Sequence, residues 1–354
     1  MRQSRFGFGI VGTGMIAAFH AKAIAAMADA ELVAVHARRI ESAQSFAARH
    51  RCAPYGDYGA FLAHEGLDLV TICTPSGAHL EPAIAAASAG KHVICEKPLE
   101  VTTERIDAMI DACAEAGVML AGVFPRRFNQ ATALLKQAID GGRFGTITMA
   151  DAAIKYWRTQ EYYDGDGWRG TWALDGGGAM MNQASHTVDL LLHLMGDVAS
   201  VRAQTRLAAH DNIEVEDVAV ALLTFESGAL GVLQGSTACW SEAGHPAEIQ
   251  ICGTHGSVFL TDDRFRVWEF RGETPDDDRI RAEYGVKTGG AGAADPSAID
   301  FTWHQRNFKD AVDALRHNRA PRVDGVEARR AVALIRAIYD SAAAGGEKTD
   351  VEQP

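Results

Sequence analysis

From Phe6 to about Gly122, short continuous apolar runs alternate with Ala-rich stretches whose apolar residues recur at helical spacing. The runs are Phe6–Val11, Leu32–His36, Leu69–Thr74, His92–Cys95 and Val118–Ala121; the helical stretches include Met15–Met27 and Glu81–Ala89. Strands without polar alternation, joined by helices, predict a parallel sheet covered on both faces, because a parallel crossover needs about a dozen residues or more. Beyond Val123 the rhythm changes. Helices are predicted over Ala131–Asp140, stopped by Gly141-Gly142, and Asn182–Met195, stopped by Gly196. Four β-type runs, Asp217–Phe225, Ala229–Ser236, Glu248–Cys252 and Ser257–Thr261, have short connections with turn residues at Ser227-Gly228 and Gly253–Gly256. Such spacing predicts an antiparallel or mixed sheet. Thr288–Pro296 reads as a loop, and helical patterns near Phe301–Arg316 and Val326–Ala343 close the chain. The expected organisation is a doubly wound α/β domain over residues 1–122 and an α+β domain over 123–354, with C-terminal helices able to pack back on the first.

Composition narrows the class. The chain has 354 residues, 47% hydrophobic and 23% charged, which is ordinary for a globular protein and argues against disorder. A net charge of −12 disfavours nucleic acid and anionic membranes as partners. Met1 to Arg5 carries two arginines, but the apolar stretch behind it is short and runs into glycines, unlike a secretion signal. His20 and Lys22 interrupt the longest candidate membrane span. None of the six cysteines forms a CxxC pair, and Cys73 and Cys95 lie in apolar runs, as expected in a reducing cytoplasm.

Gly12-Thr13-Gly14-Met15-Ile16-Ala17 fits G-x-G-x-x-[GA] between an apolar strand and a helix. The first glycine permits the tight turn and the second lets backbone approach a pyrophosphate. The small third residue lets helix pack on strand, and the helix N-terminus faces the phosphates. An NAD-binding fold usually carries a carboxylate at the end of the second strand for the ribose hydroxyl. Here that strand ends Val35-His36-Ala37-Arg38-Arg39, with two guanidiniums suited to a 2′-phosphate, so NADP(H) is favoured and NAD(H) possible.

Cys73-Thr74-Pro75 with His79, Glu96-Lys97-Pro98 after the next strand, Gly176-Gly177-Gly178 leading to His186, and Val323-Asp324-Gly325 before the last helix complete a pattern over nearly the whole chain. It resembles the glucose-fructose oxidoreductase, inositol dehydrogenase and rhizopine-catabolism (Gfo/Idh/MocA) family. The resemblance implies a Rossmann domain followed by a domain whose open, mostly antiparallel sheet often forms the oligomer interface, here of a homodimer or homotetramer. It also implies that Thr74, Pro75, His79, Glu96 and Lys97 line the cofactor. Physically, ligands of doubly wound sheets bind beyond the carboxyl ends of strands, which these residues follow. A lysine there can donate hydrogen bonds to the oxygen of a reacting alcohol or ketone. The family's Asp-x-x-x-His pattern falls on Asn182 and His186, expected on one helical face. Asn182 departs from it and cannot carry a proton, which leaves Lys97 and His186 as acid/base candidates.

Tyr156-Trp157-Arg158, Tyr162-Tyr163 and Trp168-Arg169-Gly170-Thr171-Trp172 combine rings that stack on sugars with arginines that clamp hydroxyls or anions. Tyr156, Arg158, Trp168 and Arg169, with Asn182, are the expected substrate wall. His186, Asp189 and His193 also share helical spacing, but i to i+7 spans about 10 Å, too far for one metal, so no metal is expected. Together these residues point to an NAD(P)-dependent oxidoreductase acting on a secondary alcohol or ketone of a sugar, cyclitol or related polyol. The alternatives are a glycoside-cleaving enzyme that recycles bound NAD internally and a non-catalytic NADP(H) sensor.

Overall fold

Strands that are apolar at every position have two faces to cover. In the computed structural model of the chain, which describes residues 5–165, 167–286 and 301–353, they do so in a six-stranded parallel sheet. Its strands are β1 (Phe6–Val11), β2 (Ala30–His36), β3 (Ala53–Tyr55), β4 (Leu69–Ile72), β5 (His92–Cys95) and β6 (Leu120–Gly122), in the order β3-β2-β1-β4-β5-β6. Between them run α1 (Met15–Ala25), α2 (Ile40–His50), α3 (Tyr58–Leu62), α4 (Leu80–Ser88) and α5 (Thr103–Glu115). The order reverses at β1, which pairs with β2 on one side and β4 on the other, and such a switch point opens a crevice at the carboxyl ends. β3 is absent from the apolar pattern because it is three residues long and carries Pro54, tolerated on this edge strand.

Two compact units result: Met1–Pro125 with Asp300–Arg329, and Arg126–Ile299 with Arg330–Pro354. The first takes up the helix Thr302–His317, whose Phe308 stacks on Phe8 at 5.9 Å and meets the edge of His20 at 4.9 Å. Asn307 ties this helix to the end of β6, accepting from Phe124 N–H at 2.9 Å and donating to the Gly122 carbonyl at 3.3 Å.

In the second unit, an eight-stranded sheet holds β7 (Ile147–Lys155), β8 (Val198–Arg206), β9 (Val218–Phe225), β10 (Leu230–Ser236), β11 (Ala247–Gly253), β12 (Gly256–Thr261), β13 (Arg264–Phe270) and β14 (Thr349–Asp350). Their order is β13-β12-β11-β7-β10-β9-β8-β14; only β7 and β10 are parallel, so the sheet is mixed but mostly antiparallel. One face packs under α8 (Ser185–Met195), which contacts β7 and β11 and is flanked by α6 (Gln130–Asp140). The opposite face is open and apolar. β9 alternates buried and exposed residues, and Val220, Leu222, Leu230 and Met149 remain exposed on it. Among the described residues, no helix is long and apolar enough to cross a membrane. The predicted loop Thr288–Pro296 lies outside the described residues.

Candidate active site

The glycine turn sits between neighbouring strand ends. Gly12 N–H donates to the His36 carbonyl at 2.9 Å, its φ is +102°, and a Cβ would stand 2.7 Å from the Cys73 carbonyl oxygen. Only glycine meets both conditions. At the N-terminus of α1, Gly14 provides no side-chain cap, and a Cβ there would meet nothing within 4 Å. The first N–H groups of α1 therefore face a backbone cradle of the kind that holds a pyrophosphate, with Met15 and Ile16 in the first turn and Ala17 fully buried against the sheet. Past β2, Ala37 is buried while Arg38 and Arg39 are exposed, and among the described residues neither arginine has a carboxylate partner.

The ends of β4 and β5 carry the next candidates. Thr74 Oγ1 donates to the Ala78 carbonyl at 2.9 Å, and Pro75 enters the short turn Ser76–Ala78. His79 is buried: Nδ1 lies 3.0 Å from the Pro98 carbonyl and 3.2 Å from that of Leu99, and Nε2 lies 2.9 Å from that of Thr74. Glu96 is also buried; Oε1 accepts from His20 Nε2 at 2.7 Å and Oε2 from the Lys97 backbone N–H at 3.0 Å. The Lys97–Pro98 peptide is cis. His20, Glu96 and His304 bring ligand-type atoms within 4.8 Å of one another, a cluster the sequence pattern did not single out. Burial pushes the His304 imidazole down to about 4, outweighing the pull of Glu96, so that ring is neutral near pH 7.

In the second unit the expected substrate wall comes together around one ring. The Arg158 guanidinium lies 5.4 Å from the Tyr156 ring and 5.5 Å from that of Tyr162. Arg169 covers Tyr162 at 4.3 Å and Trp168 at 5.2 Å. Gln183, missed in the sequence, links them: Oε1 accepts from Arg158 Nη2 at 2.8 Å, and Nε2 donates to Tyr162 Oη and to Asn182 Oδ1, both at 2.9 Å. Asn182 Nδ2 in turn donates to Asp175 Oδ1 at 2.5 Å, so a buried carboxylate stands one hydrogen bond behind the position where the family pattern has its own. His210 supports the strand end below, set between Asp217 Oδ2 at 2.9 Å and the Arg158 carbonyl at 2.8 Å.

Asn182 and His186 do not lie on one continuous α-helix, as the spacing implied. Ala179–Ala184 form a π-helical turn, and α8 begins only at Ser185, so the pair straddles a change of helical pitch. The turn is shaped by close backbone passage. A Cβ at Gly178 would lie 1.7 Å from the Glu216 carbonyl oxygen, and one at Gly177 would lie 2.1 Å from Tyr339 Oη. Glu216 then caps the turn: its carboxylate accepts from Gly178 N–H at 2.9 Å, Met180 N–H at 2.8 Å and Tyr339 Oη at 3.1 Å, and its carbonyl accepts from Ala179 N–H. Burial, only partly offset by these donors, pushes the Glu216 carboxyl up to about 7. Further along α8, Asp189 forms a bidentate pair with Arg127, at 2.7 and 2.8 Å.

Comparison with known proteins decides the family. Residues 6–124 match the profile of the oxidoreductase family with NAD-binding Rossmann fold, and residues 132–259 match the GFO/IDH/MocA C-terminal domain. The chain belongs to the Gfo/Idh/MocA oxidoreductases. It is 30% identical to the myo-inositol 2-dehydrogenase of Thermotoga maritima, across 71% of this chain and 74% of that protein. Among solved structures, the WlbA dehydrogenase of Bordetella pertussis, in complex with NADH and UDP-GlcNAcA, is 36% identical with a TM-score of 0.89, covering 100% of both chains. The WlbA dehydrogenase of Chromobacterium violaceum, with the same ligands, is 33% identical at a TM-score of 0.89, covering 100% of this chain and 98% of that one. As a Gfo/Idh/MocA member the chain is an oxidoreductase with an NAD-binding Rossmann domain.

The Glu216 cap has a measurable consequence. Its carboxyl binds a proton more tightly folded than unfolded, so stability falls as pH rises from the ordinary value of 4.5 to about 7 and levels off above. The loss is on the order of 3 kcal/mol. Thermal unfolding of Glu216→Gln between pH 5 and 8 is expected to show a flatter profile than the native chain across that window; identical profiles would refute the assignment.

Proposed function

We propose that this chain oxidises, or forms by reduction, a secondary alcohol on a sugar, cyclitol or related polyol, with NAD(P) supplying the hydride acceptor or donor. The observation that carries this reading is the pairing, within one unit, of an uncapped helix N-terminus behind Gly12 with the Lys97 turn at the end of β5. Gly12, Gly14, Met15, Ile16, Thr74 and Pro75 would hold the dinucleotide. Lys97 donates a hydrogen bond to the reacting oxygen and stabilises its alkoxide character. His186 accepts the hydroxyl proton, directly or through water, and Asn182, oriented by Asp175, holds a neighbouring hydroxyl.

Two finer points rest on arginines. Arg158 Nε is buried without a hydrogen-bond partner, and among the described residues no carboxylate neutralises that guanidinium. An anionic sugar, such as the nucleotide-linked acid held by the WlbA dehydrogenases, would supply a counter-charge to that guanidinium. Arg38 and Arg39 are exposed just past β2 and guanidiniums suit a 2′-phosphate, so we propose that NADP(H) is used, although the similar WlbA complexes contain NADH. The open face with Leu222 and Leu230, 57% and 58% exposed, fits a second copy of this chain in a homodimer or homotetramer.

A panel of neutral sugars, cyclitols, sugar acids and nucleotide-linked sugars, read by nicotinamide absorbance with both cofactors, tests the substrate class. In the responding assay Lys97→Ala is expected to lower turnover about 100- to 1000-fold with cofactor affinity retained; full activity would overturn its role. Cofactor titration should show tighter binding of NADP(H) than NAD(H), lost on replacing Arg38 and Arg39 by alanine. A native preference for NAD(H) would end that reading. Leu222→Lys is expected to shift the sedimenting species to a smaller one, and an unchanged mass would remove the sheet face as the interface.

A further inference from the structure

The turn that carries Lys97 is held from both sides by buried imidazoles. Ahead of Lys97, His20 is fully buried on α1, and its Nε2 donates to Glu96 Oε1 at 2.7 Å. The other oxygen of that carboxylate accepts from the Lys97 backbone N–H at 3.0 Å. His20 is itself fixed at its second nitrogen, where Nδ1 lies 2.9 Å from Thr71 Oγ1 and 3.1 Å from Cys73 Sγ, both groups able to donate to it. Its ring is further confined by the edge contact with Phe308 at 4.9 Å and by His304 at 5.8 Å. Behind Lys97, His79 reaches the carbonyls of Pro98 and Leu99 through Nδ1 and that of Thr74 through Nε2. The first of these histidines was not singled out by the sequence motifs, and the second was expected beside the cofactor.

We infer that His20 is a positioning residue for Lys97, acting through the Glu96 carboxylate, with His79 as the brace on the opposite side of the turn. The inference rests on the proposed role of Lys97. A flexible lysine contributes to catalysis only if its backbone is placed well, and a displacement of about 1 Å at a reacting group can cost roughly a hundredfold in rate. A carboxylate is suited to this task because it is a double acceptor: one oxygen holds the turn while the other is held by α1. The clamp requires a donor at the ring's Nε2 position; one at Nδ1 reaches only β4.

That geometry separates two conservative substitutions. In His20→Gln the side-chain amide extends to the Nε2 position and can donate to Glu96; in His20→Asn it ends at the Nδ1 position and cannot. With the full-length protein and the best substrate of the panel, the glutamine variant is expected to keep kcat within about tenfold of native and the asparagine variant to lose roughly a hundredfold. Affinity for the reduced cofactor, followed by its fluorescence, should remain native in both. Equal kcat in the two variants, or a loss confined to cofactor affinity, would overturn the inference. If His20→Asn does not fold, Glu96→Gln, which preserves volume and removes one of the two acceptors, is measured instead, with the same loss expected and native kcat counting against the clamp. Lys97→Ala keeps the two levels apart: if that variant is fully active the proposed role of Lys97 fails, whereas an inactive Lys97→Ala beside an unimpaired His20→Asn rejects the clamp alone.

Discussion

The nucleotide-binding unit depends on one close passage, the backbone of Gly12 running between the ends of β2 and β4. Its N–H is committed to the His36 carbonyl, and its α-carbon lies where a methyl group would stand 2.7 Å from the Cys73 carbonyl oxygen. Any larger residue pushes these strand ends apart and turns the start of α1 away from the crevice. Because β4 and β5 are adjacent, fixing Cys73 also fixes the frame in which Thr74 and the Lys97 turn follow. The same residues serve the interior: Thr71 on β4 and Cys73 just past its end meet His20 of α1, so the helix that offers its N-terminus also supplies the donor that holds Glu96.

The second unit repeats the device with different parts. Gly178 passes against the Glu216 carbonyl as Gly12 passes against that of Cys73, and a helix again begins at the close approach. The difference lies in what caps the helix. At α1, among the described residues, no side chain takes the first N–H groups, which leaves them open to an anion from outside. At the π-turn an internal carboxyl, Glu216, already takes two of them, so that helix start is structural. Both follow from the positive end of a helix, and occupancy of that end distinguishes a binding site from a support.

Elements whose signal is local were legible in the sequence. β1 and β5 run where continuous apolar stretches place them, and the glycine turn was readable because its spacing and strand-turn-helix context occur together. β3 was hidden because three residues with a proline carry no periodicity, and the π-turn because its wider pitch is set by Glu216, over thirty residues away in sequence. The expected substrate-wall residues stand out in the sequence as a cluster of rings and arginines, yet Gln183 and Asp175, which bond to them, have no motif and became visible only through those bonds. His20 is a similar case: on an Ala-rich helix it reads as an interruption of an apolar face, whereas in the fold it is the fully buried donor to Glu96.

The buried carboxylates show how environment assigns roles to one chemical group. Asp189 has both oxygens on the Arg127 guanidinium, so its charge is neutralised in place and its contribution is to packing geometry. Glu96 has a ring N–H and a backbone N–H, and it links a helix to a turn. Among the described residues Glu216 has only neutral donors and is buried, which pushes its carboxyl up to about 7. Three carboxylates thus act as an ion-pair partner, a clamp and a titrating cap. Asp189 and Glu216 are not distinguished by their immediate sequence neighbours, and the motif that marks Glu96 does not name its partner on α1; the donors that reach each carboxyl determine whether its charge is neutralised, shared or held back.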